Sequence, residues 1–78
     1  MHELKSFIKD RKVIYGIKET VKNAEQIERA FITADCREHI KRLLDVNKIK
    51  TEVLDLSKED IAISLELKFK CEVFGLKK

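Results

Sequence analysis

The chain has 78 residues, with 17 Lys and Arg against 14 Asp and Glu, two Gly, two Cys and no Pro. That length builds one domain around one thin core, and a net charge of +3 does not by itself mark a nucleic-acid binder. The apolar runs are too short to span a membrane, and no apolar block follows the charged start as it does in a secretory signal.

Cys36 and Cys71 stand far apart and outside any CxxC, so the expectation is two buried or half-buried free thiols in a reducing cytoplasm, with no metal and no cofactor.

The apolar period changes repeatedly along the chain. Leu4, Phe7 and Ile8 sit at helical spacing, with Glu3, Lys5, Lys9 and Arg11 on the other faces. Val13-Ile14-Tyr15 is a short β-rich run that ends at Gly16. From Ile17 the helical period returns, with Ile17, Val21 and Ala24 on one face. Ala30-Phe31-Ile32-Thr33 reads as a second strand. Asp35 has the placement of a helix cap, and Ile40, Leu43 and Leu44 form the stripe of a helix across 36–47.

Thr51-Glu52-Val53-Leu54 is a third strand. Ser57 then stands as an N-cap, with Asp60 near the new helix start and Ile61 and Leu65 as its apolar pair. Phe69, Cys71 and Val73 alternate with Lys68, Lys70 and Glu72, the pattern of a half-exposed last strand. Strands alternate with helices from end to end. The expected fold is a single-domain α/β structure, a three-layer α/β/α sandwich around a mainly four-stranded mixed sheet.

Catalysis finds no support in this pattern. The chain has no GxGxxG, GxxxxGK[ST], GxSxG or HExxH run. His39 has no nucleophile beside it, His2 lies at the N-terminus, and the carboxylates alternate with lysines as on a solvated surface. The expectation is a protein that is not an enzyme.

The segment Gly16-Ile17-Lys18-Glu19-Thr20-Val21-Lys22 stands apart. A strand ends, a glycine permits a sharp turn, and a helix opens with Lys18 and Lys22 on one face and Glu19 beside them. Lysines at that place suit phosphate, and a carboxylate between them can accept from amino and imino groups on a base edge. An ordinary helix start with a solvated Glu–Lys pair fits the same residues.

The run Val13-Ile14-Tyr15-Gly16-Ile17-Lys18-Glu19-Thr20-Val21-Lys22 resembles the signature of the kink-turn-binding ribosomal proteins of the L-seven-Ae/L-thirty-e superfamily. It is most like the short bacterial members, which carry G-x-K-[QE]-T-[VL]-K. Phe31-Ile32-Thr33-Ala34-Asp35 is similar to that family's apolar strand and following turn, and Ser57-Lys58-Glu59-Asp60-Ile61-Ala62 to its S-K-x-x-L-G run. The likeness extends from about residue 5 to the C-terminus, with all three motifs in the family's order.

The resemblance implies one RNA-binding domain over 1–78 that recognises a kink-turn, a sharply bent RNA helix with a bulge beside tandem sheared G·A pairs. It implies a ribosome-associated protein or one acting on another structured RNA, with ribosomal RNA among the targets. The expectation beside it is a cytoplasmic protein, a monomer rather than a dimer. Gly16 would permit close approach of the backbone, Lys18 and Glu19 would address guanine edges, and Lys22 would meet phosphate. Thr20 would steady the helix start at the RNA edge. Leu54, Leu56 and Ser57 would cover the flipped-out bulge nucleotides, with Lys58 near the RNA backbone. The alternative is a protein-interaction or dimerisation module on the same fold, motivated by the mixed surface charge and an exposed edge at the last strand.

Overall fold

The computed structural model describes residues 2–78, with side chains from Leu4 onward, so the side chains of His2 and Glu3 lie outside the described residues. Helix α1 (His2–Lys9) leads into strand β1 (Val13–Tyr15) and helix α2 (Ile17–Lys22). A 3-10 turn, Ala24–Gln26, joins α2 to β2 (Ile27–Ile32), which is followed by α3 (Glu38–Val46) and β3 (Thr51–Val53). Helix α4 (Lys58–Ser64) and strand β4 (Val73–Lys77) complete the chain. The order of helices and strands is the one the changing period predicts.

The four strands form one mixed sheet in the order β1-β4-β2-β3. β4 runs antiparallel to both β1 and β2, and β2 runs parallel to β3. The two faces of the sheet bury separate clusters. On one, Phe31, Phe74 and Leu76 pack with Leu4 of α1 and with Ile61 and Leu65 at α4. On the other, Ala30, Ile32 and Val73 pack with Ile40 and Leu44 of α3, and Ile17 of α2 joins them. These are the three layers expected for the α/β/α sandwich.

A bulge explains an apparent break in the pattern of β2. Ile27 pairs with Lys77 and Arg29 with Leu76, which leaves Glu28 as the extra residue. The bulge resets the alternation, so Ile27 faces the same way as Ala30 and Ile32. For the same reason the strand begins three positions earlier than the apolar run Ala30–Thr33 suggests.

Helix ends in a chain with two glycines need another device. Arg11, Lys48 and Glu66 take positive φ values of 58°, 57° and 58°. After α1, α3 and α4 the two amides at the end bond back in the Schellman pattern: at α3, Lys48 N–H to Asp45 O and Ile49 N–H to Leu44 O. Leu44 and Ile49 then meet in the core, the apolar contact that usually accompanies this cap.

Several sequence expectations are corrected. The last strand is Val73–Lys77, and Phe69 lies outside it, 48% exposed. Val73–Leu76 is buried on both faces because β4 is an inner strand, so its apolar run is continuous and the alternation before it belongs to a connecting segment. The same position removes the exposed edge on which dimerisation through the last strand rests. Leu43 faces outward, and Asp35 does not cap α3, whose N-cap is Arg37. Ser57 does cap α4, with its hydroxyl oxygen accepting from Asp60 N–H at 3.2 Å.

Candidate functional site

Gly16 occupies φ 90° and ψ 155°, a region that L side chains rarely enter. Its N–H donates to Val73 O at 2.9 Å, which ties the turn to the start of β4. Beyond its two chain neighbours no atom lies within 4 Å of the place where a Cβ would stand, so the glycine serves the backbone angle and leaves open space beside it. Its carbonyl accepts from both Thr20 N–H at 3.1 Å and the Thr20 hydroxyl at 2.7 Å.

Those two hydrogen bonds orient α2. Thr20 is 0% exposed and sits against Gly75, while Lys18, Glu19 and Lys22 are exposed. Thr20 therefore serves as the anchor of the helix, and its side chain offers no surface to a ligand. The exposed face of α2 carries the Lys-Glu-x-x-Lys set on its own.

The 54–58 loop is fixed from the other side. Leu54 N–H donates to Ile32 O at 2.8 Å and Ala34 N–H to Leu56 O at 2.9 Å. Asp35, expected to cap α3, instead accepts Lys58 N–H at 3.0 Å and so supports the start of α4 across the fold. The Thr33 hydroxyl, the Lys58 amide and the Lys58 charge hold its carboxyl below the usual range. Leu54 is 9% exposed and belongs to the core, and Leu56 is half-buried against it. Leu54 is thus withdrawn from the apolar cover expected of this loop, because its strand-end position points it at α4.

Gly16 and Lys58 meet at one open cleft of about 450 Å³, lined also by Ile17, Arg37, Lys70 and Glu72. Arg37 Nε and Nη2 both donate to Glu72 Oε2, at 3.2 and 3.0 Å. Lys58 Nζ lies 3.7 Å from Glu72 Oε1, and Lys70 Nζ donates to Glu59 at 2.9 Å. Sequence reasoning missed Arg37, Lys70 and Glu72 as site residues. Arg37 and Glu72 come from segments far apart in the chain, and no local spacing signals such a pair.

The thiols offer no activated nucleophile. Cys36 and Cys71 are free and buried, and burial pushes both up from the ordinary thiol range. Tyr15 is likewise pushed up, by burial and by Cys71 beside it, and packs edge-on against Phe69 and Phe74. Among the described residues no group of three His, Cys, Asp or Glu side chains is placed to hold a metal ion. No helix among them is long and apolar enough to cross a membrane.

Comparison of the sequence with protein families and with curated proteins finds no match. Solved structures do match. A protein of unknown function from Bacillus halodurans C superposes with a TM-score of 0.78 at 17% identity, over 96% of this chain and 80% of that one. The Giardia lamblia 15.5kD RNA binding protein superposes with a TM-score of 0.73, also at 17% identity, over 96% of this chain and 68% of that one. At this identity the likeness is one of fold.

Proposed function

We propose that this protein binds structured RNA and recognises a kink-turn, with the α2 face and the adjoining cleft as the contact surface. The observation that carries this reading is the Gly16 turn. It buries Thr20 and presents Lys18, Glu19 and Lys22 together, beside a cleft whose rim holds Arg37, Lys58 and Lys70. The fold likeness to the Giardia lamblia 15.5kD RNA binding protein supports an RNA partner. The motif run from Val13 to Lys22 supports the kink-turn as the feature read.

In this reading the parts have distinct tasks. Lys22 meets phosphate, which fixes position without reading sequence. Lys18 and Glu19 reach the groove at the bend, where Glu19 accepts from guanine amino or imino groups and Lys18 donates to ring acceptors. Lys58 and the cleft rim hold the backbone at the bulge, where unpaired bases are free to leave the stack. Ser57 keeps α4 and its Lys58 in place through the cap. The role is binding and not catalysis, exercised as a cytoplasmic monomer with ribosomal RNA as the first target to examine.

The test is a titration against a kink-turn RNA and a straight duplex of equal length at one stated salt concentration, because backbone contacts make affinity salt-dependent. The kink-turn binds more tightly if the reading is right. Equal affinity for the two overturns it.

A further inference from the structure

We infer that Glu72 makes the cleft beside Gly16 a guanine-selective base pocket. The Glu72 side chain is only 10% exposed, yet it lines an open cleft of about 450 Å³. Its two oxygens are used unequally. Oε2 accepts twice from Arg37, while Oε1 is buried with no hydrogen bond, its neighbouring cation being Lys58 Nζ at 3.7 Å. A buried carboxylate oxygen without a donor is costly, and a ligand that brings donors relieves that cost.

The chemistry of the rim narrows the ligand. Arg37 and Lys58 flank the carboxylate, and Lys70, paired with Glu59, lines the same cleft. Three cations against two carboxylates leave the mouth positive, so an anionic ligand is favoured there over a cationic one. What enters must pair donors for the carboxylate with negative charge for the rim. A nucleotide does both. The Lys58 side chain is 41% exposed, and its ammonium leaves Oε1 for phosphate as the base arrives.

Among the bases, guanine fits the carboxylate best. Its N1–H and N2–H₂ stand side by side as two donors, which one carboxylate oxygen and its charge can accept. Uracil offers one N–H between two carbonyls. Adenine and cytosine set a ring acceptor next to their amino group, aimed at the carboxylate. Ile17, half-buried above the core residues Ile40 and Val73, supplies apolar contact to the base in each case and does not discriminate.

This inference rests on the RNA reading above for its natural ligand, and its test separates the two. GMP, AMP, CMP and UMP are titrated into the protein while the amide shifts of Gly16, Ile17 and Val73 are followed. In parallel, four kink-turn RNAs that differ only in the unpaired bulge nucleotide are titrated into wild type and Glu72→Gln. GMP is expected to saturate the three amides at the lowest concentration. The guanine-bulge RNA is expected to bind about tenfold tighter than the others, about 1.4 kcal/mol. In Glu72→Gln, with an unchanged circular dichroism spectrum, that preference disappears.

Equal responses to the four mononucleotides overturn the inference, whatever the RNAs do. A guanine preference that survives Glu72→Gln overturns the assignment to Glu72. If the variant does not fold, the wild-type comparison of the four nucleotides still decides. A GMP preference together with no preference for kink-turns over straight duplexes supports the pocket as a free-nucleotide site and counts against the RNA reading alone.

Discussion

Thr20 and Gly75 meet so closely that a Cβ on Gly75 would stand 2.9 Å from both Thr20 Cγ2 and Thr20 Oγ1. The contact sets helix α2 directly on the inner strand β4, at the one point of that strand with no side chain on this face. Thr20 cannot swing away, since its hydroxyl is bonded to Gly16 O at 2.7 Å and β-branching restricts its rotamers. The orientation of Lys18, Glu19 and Lys22 follows from this seat.

Gly75→Ala is therefore expected to destabilise the fold by about 1–3 kcal/mol through overpacking. Removing the opposing atoms with Thr20→Ala in the same chain recovers part of that loss, because the two residues share one contact. Denaturant titration of both single variants and the double variant measures the coupling. Strict additivity contradicts the seat.

At Gly16 the cause is different and so is the expected series. Its surroundings are open, so the cost of a side chain lies in the backbone angle of φ 90°. Gly16→Ala and Gly16→Ser should each cost about 1–3 kcal/mol, nearly the same, although their side chains differ. Thermal unfolding of the pair checks this. A cost that grows with side-chain size would point to crowding instead.

The non-glycine helix ends carry the opposite expectation. Lys48 holds φ 57° in a Schellman cap. Lys48→Gly relieves that strain but adds freedom to the unfolded chain, for a net gain of about 0.5–1 kcal/mol. In a domain of this size that gain raises the thermal midpoint by a few degrees, about 4–8 °C per kcal/mol. A midpoint that falls contradicts the cap assignment.

Asp35 links stability to pH. Its carboxyl is held below its ordinary value of 3.8 by the Thr33 hydroxyl first, then by the Lys58 amide and charge. A carboxyl with a depressed folded pKa contributes fully above its unfolded pKa, and the contribution is lost as pH falls through the lower folded value. Asp35→Asn should thus be less stable than wild type near neutral pH, with the gap closing below about pH 4. Thermal midpoints of both proteins across that window give the difference. A gap that widens on acidification has the wrong sign.

Two α2 substitutions separate positioning from reading. Lys22→Ala is expected to weaken RNA binding across sequences and to reduce the salt slope by about one. Glu19→Ala should leave the salt slope largely unchanged while reducing the preference for the intact G·A bend. Affinities at several salt concentrations measure both effects.

Much of this architecture is legible in the sequence. The alternation of apolar periods gives the order of four helices and four strands and places the first three strands, while the last strand begins only where the alternating Phe69-Cys71-Val73 segment that suggests it ends. The turn at Gly16 is visible from a lone glycine between a β run and a Lys-Glu-x-x-Lys start. Ser57 is legible because capping is a local matter of three residues. Long-range pairings are not. That Thr20 and not Val21 reaches deepest depends on the missing Cβ at Gly75, and that Asp35 supports α4 depends on the crossing of two loops. Glu72 reads as one more alternating charge until the fold brings Arg37 and Lys58 to it.

The central claim is that the face of α2 reads the G·A-supported bend of a kink-turn. The most direct measurement is a gel-shift titration of the wild-type protein against a kink-turn RNA and the same RNA with its tandem G·A pairs replaced by Watson–Crick pairs, at one stated salt concentration. The account predicts that the intact kink-turn binds at least about tenfold more tightly, a difference of about 1.4 kcal/mol. Equal binding to both RNAs would contradict it.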